Sequence, residues 1–237
     1  MLGNVWLAFI VTFGLSIIWL AFCNSLAKRG IVSSSTSRKI IHIGTGPVFV
    51  LCWLLFPDHL LSRYAAAIVP FLITTQFFLV GTGIISDPAT VKAMSRTGNK
   101  AEILKGPLFY GVIFVLLTII FWTSSPLGIV ALMILCGGDG IADLAGKKFG
   151  KNCIQWSMKK TWEGSLGMFL GSVLLSSLVI GIYLLVGVFT VPLFVILGNI
   201  LVLSLFATIV ETLPFEDIDN ITVPSVVVLV GYLIFKL

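Results

Sequence analysis

The run VWLAFIVTFGLSIIWLAFC, from Val5 to Cys23, carries no charged residue from end to end. An α-helix needs about 20 apolar residues to cross a bilayer, and the hydrophobic stretch of a cleavable leader is shorter. The run also ends without a small-residue cleavage site, so it reads as a first membrane helix, with no leader or transit segment expected ahead of it. Comparable runs recur with short polar breaks. Spans are expected at about 4–24, 40–56, 64–84, 107–123, 126–142, 164–188, 192–213 and 221–236. The expected fold class is therefore all-α, a polytopic transmembrane bundle of about seven to eight membrane helices.

Composition agrees. Hydrophobic residues make up 58% of the 237 and charged residues only 11%, with a mean hydropathy of +1.11. An ordinary soluble domain is excluded, and residues 1–237 are expected to form a single integral-membrane domain. The four cysteines, Cys23, Cys52, Cys136 and Cys153, show no C-x-x-C spacing. Three lie in or beside apolar runs as small buried hydrophobes, while Cys153 falls in a basic loop as a free thiol.

Charge sets the expected orientation. Thirteen of the fifteen basic residues fall in three alternate breaks: Lys28 to Lys39, Lys92 to Lys105, and Lys147 to Lys160. By the positive-inside rule these breaks face the cytosol, or the stroma in a plastid. Nine of the ten acids are expected on the same side, Asp58 being the exception. Mixed acids and lysines beside glycine-rich turns suit a metal–polyphosphate: anions for the metal, cations for the phosphates.

The densest such stretch is Cys136-Gly-Gly-Asp139-Gly-Ile-Ala-Asp143. A carboxylate at the bilayer centre costs roughly 2.5–3.5 kcal/mol, so it needs a partner or a task. Asp139 and Asp143 are four apart, on one helical face, where they repel unless a cation intervenes. A hydrated Mg²⁺, which takes one or two carboxylates plus phosphate oxygens, fits that spacing. Gly138 and Gly140 are expected to break the helix, let the backbone approach a ligand and present free N–H groups. Lys147, Lys148 and Lys151 then read as phosphate ligands around a Gly146-to-Gly150 turn.

Lys160-Thr161-Trp162-Glu163-Gly164-Ser165 opens the sixth span. Thr161 has N-cap spacing, and Ser165 with the first-turn amides is expected to favour a phosphate. Glu163 lies just inside the apolar run. Glu211 ends the seventh span, and Glu216, Asp217, Asp219 and Asn220 follow with no basic residue nearby. That set suits a second metal or a ribose, with Glu211 a third candidate metal ligand; otherwise the basic 147–160 loop folds over it. His42 reads as an interface histidine, and the stretch from Ser95 to Pro107 as an interfacial segment that could cover a site.

Together these residues resemble the CTP-dependent polyprenol kinase family. Its members include phytol and farnesol kinases and, more distantly, dolichol kinase and phosphatidate cytidylyltransferase. The likeness runs from Arg38-Lys39-Ile-Ile-His42 through the Arg96–Pro107 stretch to Asp139…Asp143…Gly150, then Lys160-Thr-Trp-Glu163-Gly-Ser165 and Asp219-Asn220-Ile-Thr-Val-Pro224. It implies transfer of the γ-phosphate of CTP to the terminal hydroxyl of an isoprenoid alcohol. Asp139 and Asp143 would then hold Mg²⁺, and Lys147, Lys148 and Lys160 the phosphates. Glu163, Glu211 and Asp219 would serve a second metal or orient the acceptor. The expected partners are the lipid alcohol, the nucleotide and the membrane, with a homodimer left open and no nucleic acid.

Two other classes fit parts of the chain. A cytidylyltransferase would attack the α-phosphate and release pyrophosphate. A transporter would line a path through the membrane with polar groups, and charges at mid-depth are missing here.

Overall fold

The computed structural model describes residues 1–32, 34–95, 97–157, 160–214 and 218–235, with side chains at all of these except 24, 27, 28, 34, 35 and 38. Among the described residues the regular elements are helical, apart from one isolated antiparallel bridge between Cys153 and Thr161. Among the described residues six helices are long and apolar enough to cross a membrane: Val5–Cys23, Leu61–Thr82, Lys100–Phe121, Pro126–Phe149, Trp162–Leu185 and Leu193–Glu211. Two shorter apolar helices, Lys39–Leu55 and Asp219–Ile234, occupy the expected second and eighth positions. Helices are what lipid demands, because each satisfies its own backbone polar groups.

The chain packs as two compact units, Met1–Ile41 with Val48–Ile120, and His42–Pro47 with Phe121–Leu237. In the first, α1 (Val5–Lys28) packs on α3 (Leu61–Thr82). Gly83 ends α3 in the left-handed region at φ 85°, its N–H bonding Val80 O at 3.0 Å, while Ile85 N–H reaches back to Leu79 O at 3.1 Å. Such a close suits glycine because no Cβ opposes the left-handed turn. Asp87 then caps the short α4 (Pro88–Met94), accepting from the N–H groups of Ala89 and Thr90 at 3.1 and 3.0 Å. The Thr90 hydroxyl at 2.6 Å, with those amides, holds the Asp87 carboxyl below the usual range. A 3-10 turn (Lys100–Leu104) leads into α5 (Gly106–Phe121), which has Pro107 in its first turn where no N–H is needed. Phe77, Val80 and Ile103 form a small core beneath this stretch.

In the second unit α6 (Pro126–Met133) is buried along its whole length. It does not stop at the glycines, as the sequence suggested. It passes through a π turn (Ile134–Gly138) into α7 (Asp139–Phe149), so the expected 126–142 span continues to Phe149 as one helix of 24 residues, and the turn expected at 146–150 is helical up to its last residue. The reason is packing against α8 (Trp162–Leu185). A Cβ at Gly171 would meet Gly137 O at 2.7 Å, and one at Gly167 would meet Ala145 Cβ at 2.7 Å and Ile141 O at 3.1 Å. The small faces let the two helices approach backbone to backbone, which is how helices associate in lipid. That closeness offsets the roughly 1 kcal/mol each glycine costs inside a helix. Helices α9 (Leu193–Glu211) and α10 (Asp219–Ile234) complete the unit, α9 against α8 and α10 against both α9 and α6. Helix α2 (Ser34–Cys52) contributes its residues 42–47 to this unit.

Candidate active site

Helix α7 carries Asp139, Asp143 and Lys147 on one stripe, one turn apart. Asp139 stands in the first turn, and Oδ2 lies 3.2 Å from Nε2 of His42 on α2. One turn on, Asp143 Oδ2 accepts from Lys147 Nζ at 2.8 Å. The helix orientation follows from its glycines. Gly138 faces Met168 and Ser172 of α8, and Gly140 faces Ile43 and His42, too closely at both for a Cβ. This corrects the expectation that Gly138 and Gly140 present free amides to a ligand. Both are buried inside a continuous helix, whose interior amides bond its own carbonyls.

The chain leaves α7 at Gly150 and doubles back. Ile154 N–H bonds Lys160 O at 2.9 Å and Trp162 N–H bonds Asn152 O at 3.0 Å, closing a tight hairpin. Its amide Asn152 Nδ2 donates to Glu163 Oε1 at 2.9 Å, so Glu163 fastens the hairpin to the start of α8. Thr161 Oγ1 accepts the Gly164 N–H at 3.1 Å, and Thr161 O accepts that of Ser165 at 3.0 Å. The first-turn amides expected to take a phosphate are thus already taken by the protein, and the Ser165 side chain is buried. Thr161 and Ser165 form a cap here. Trp156 meets Trp162 edge-on at 5.9 Å, and its Nε1 reaches Thr212 Oγ1 at 3.4 Å.

Lys160 draws three helix ends together. Its Nζ lies 3.0 Å from Glu211 Oε1 and 3.1 Å from Asp219 Oδ2, and it also donates to the backbone carbonyl of Glu211. Burial disfavours the ammonium, but the two carboxylates outweigh that and raise its pKa above the ordinary lysine value. Glu211 is only 7% exposed, so its charge depends on Lys160.

A two-carboxylate pair on α7 fits a hydrated Mg²⁺ that takes its other ligands from phosphate and water. Among the described residues no group of three or more His, Cys, Asp or Glu converges to hold a metal. Glu211, expected as a third ligand, pairs with Lys160 here. Lys148 and Lys151 are exposed and unpaired with any carboxylate among the described residues, Lys148 lying 5.2 Å over the Phe149 ring. Asn220 falls in the first turn of α10 beside Asp219. The Arg38 side chain, Arg96, Lys159, Glu216 and Asp217 lie outside the described residues. Sequence reasoning missed the partner of Asp139, His42, and the Gly167-x-x-x-Gly171 spacing that seats α7. That spacing was readable as a helix-packing motif.

Acids on an apolar helix, followed by lysines in its last turn and before the next helix, are residue types suited to a phosphorylated ligand. Comparison with known proteins narrows this. The chain is 39% identical over 214 residues to a probable chloroplastic phytol kinase of Triticum aestivum, covering 90% of this chain and 71% of that one. It is 38% identical over 213 residues to phytol kinase 1, chloroplastic, of Arabidopsis thaliana, covering 89% and 70%. It is 37% identical over 230 residues to the chloroplastic farnesol kinase of the same plant, covering 96% and 75%. The chain belongs to the phytol and farnesol kinase branch of the polyprenol kinase family. No family model matches it, and no solved structure matches it.

Proposed function

We propose that the protein transfers the γ-phosphate of CTP to the terminal hydroxyl of an isoprenoid alcohol of the phytol, farnesol or geranylgeraniol type, at the cytosolic or stromal face of the membrane. Kinship with phytol and farnesol kinases supports the reaction class and the acceptor. The observation that supports the site is that the second unit holds two sets of ion pairs, Asp139 with His42 and Asp143 with Lys147 on α7, and Lys160 with Glu211 and Asp219 where α8 begins, α9 ends and α10 begins. Phosphoryl transfer asks little covalent chemistry of a protein; it asks for positive charge on the phosphates and an in-line hydroxyl. Asp139 and Asp143 would hold Mg²⁺, which supplies charge neutralisation on the phosphates. Lys147, Lys148 and Lys151 would hold the polyphosphate tail. His42 stands beside the Asp139 carboxylate, and Lys160 pairs with Glu211 and Asp219 and holds them in place. The acceptor keeps its tail in lipid and brings only its hydroxyl to the nucleotide.

The test is incubation of purified protein with γ-labelled CTP and a panel of farnesol, geranylgeraniol, phytol and dolichol. Labelled lipid monophosphate with release of CDP is the expected product. A CDP-lipid with release of pyrophosphate would overturn the reading in favour of a cytidylyltransferase.

A further inference from the structure

The first unit holds a concave pocket of about 800 Å³ formed by the end of α3, by α4 and by the 3-10 turn. Two lysines line it, Lys92 and Lys100, and neither ammonium has an ion-pair or hydrogen-bond partner among the described residues. The acid that shares the lining, Asp87, is spent elsewhere. Its oxygens take the N–H groups of Ala89 and Thr90, the Thr90 hydroxyl and, at 3.3 Å, the Gln76 amide. With two ammoniums against that one carboxylate, the pocket keeps a net positive charge. Lys100 Nζ lies directly over the Cα of Gly83, where any Cβ would collide with it. A glycine needed for the left-handed close of α3 thus also makes room for the ammonium at the pocket wall.

The rim is apolar. Ile85 lines the pocket and is 45% exposed, and its neighbour Ile84 is 70% exposed. Both follow directly on the end of the Leu61–Thr82 span, and Lys100 begins the next one. Free cations and bare apolar side chains meet at the level where hydrocarbon gives way to head groups. Lysine is a mobile point charge suited to phosphate, and basic pockets between membrane helices suit anionic head groups. We propose that this pocket binds a phosphate group carried on an apolar tail, separately from the candidate active site. Two sources share that chemistry: the head group of an anionic membrane phospholipid, and a phosphorylated isoprenoid.

Native mass spectrometry of the detergent-purified protein tests this with four probes: phosphatidic acid, phosphatidylcholine, farnesyl monophosphate and inorganic phosphate. Phosphatidic acid or farnesyl monophosphate should be retained, and the Lys92→Gln/Lys100→Gln double variant should lower retention at least tenfold. Asp139→Asn should leave it unchanged, which separates this pocket from the catalytic one. Ile84→Ser/Ile85→Ser should weaken the lipid probes, and Lys92→Arg/Lys100→Arg should restore binding if the glutamine variant is unstable. Stronger retention of phosphatidic acid assigns bulk lipid as the ligand, and stronger retention of farnesyl monophosphate assigns the isoprenoid phosphate. Equal retention of phosphatidylcholine, inorganic phosphate binding as tightly as the lipids, or no change in the lysine variants would overturn the proposal.

Discussion

Lys160 and Asp219 are 59 positions apart in the chain and meet at 3.1 Å. With Glu211 at 3.0 Å from the same nitrogen, one lysine joins the residues before α8 to the end of α9 and the start of α10. A half-buried cation between two carboxylates is costly to break from one side, because the partner left behind is an uncompensated charge. Lys160→Met should therefore destabilise the detergent-solubilised protein by roughly 3 kcal/mol. Adding Glu211→Gln should recover much of that loss, since it removes the stranded charge. Thermal unfolding of the single and double variants decides it. Additive losses would mean that the pair is not energetically coupled.

The same clamp has a defined pH window. The Lys160 pKa is raised in the folded protein by Glu211 and Asp219 against the opposing effect of burial. A group with a higher pKa folded than unfolded contributes stability fully below its unfolded value and loses it as pH climbs through the folded one. The stability gap between the wild type and Lys160→Met should stay constant from neutral pH up to about 10.4, the usual lysine value, and close only above it. A gap that closed between pH 7 and 9 in a melting series would contradict this.

Asp139→Asn and Asp143→Asn should each reduce phosphoryl transfer at least 100-fold while leaving the melting temperature near that of the wild type. Each substitution removes a charge and keeps the shape, and it relieves repulsion along α7 when no cation is bound. A variant that kept more than about a tenth of the wild-type rate, a ~1.4 kcal/mol effect, would not have lost a metal ligand.

The basic asymmetry predicts the membrane orientation. A cysteine placed at the exposed Thr97 and the native exposed Cys153 should both react with an impermeant maleimide added from the same side. Labelling from opposite sides would remove the topological basis of the active-site reading.

How far the sequence speaks depends on whether a property is local. Apolar runs and the lysine-rich breaks are local, so the helices and the stretches that bear the acids could be read directly. Asp139 and Asp143 share a face by helical period alone. That Glu211 and Asp219 need a distant cation also follows from the absence of a nearby lysine, and the 147–160 loop was the nearest basic source. The choice of Lys160 depends on how α8, α9 and α10 end, which no local pattern specifies. The glycines show the converse error. Gly138 and Gly140 look like a ligand cradle when read beside Asp139, yet α8 and α2 lie on them. A glycine records that something comes close, without saying what. Thr161 was legible as a cap, but capping used up the amides that a phosphate would have needed.

The π turn at Ile134–Gly138 works as a phase shifter. An α-helix advances 100° per residue, so one residue taken up by a wider turn rotates everything downstream by about that angle relative to everything upstream. The wholly buried α6 and the half-exposed stripe of Asp139, Asp143 and Lys147 belong to one rod, yet each follows its own azimuth. Deleting one residue between 134 and 138 would keep the span hydrophobic and long enough to insert. It would also turn Asp139 away from His42, giving a protein that reaches the membrane and folds with that acid aimed at the wrong neighbour.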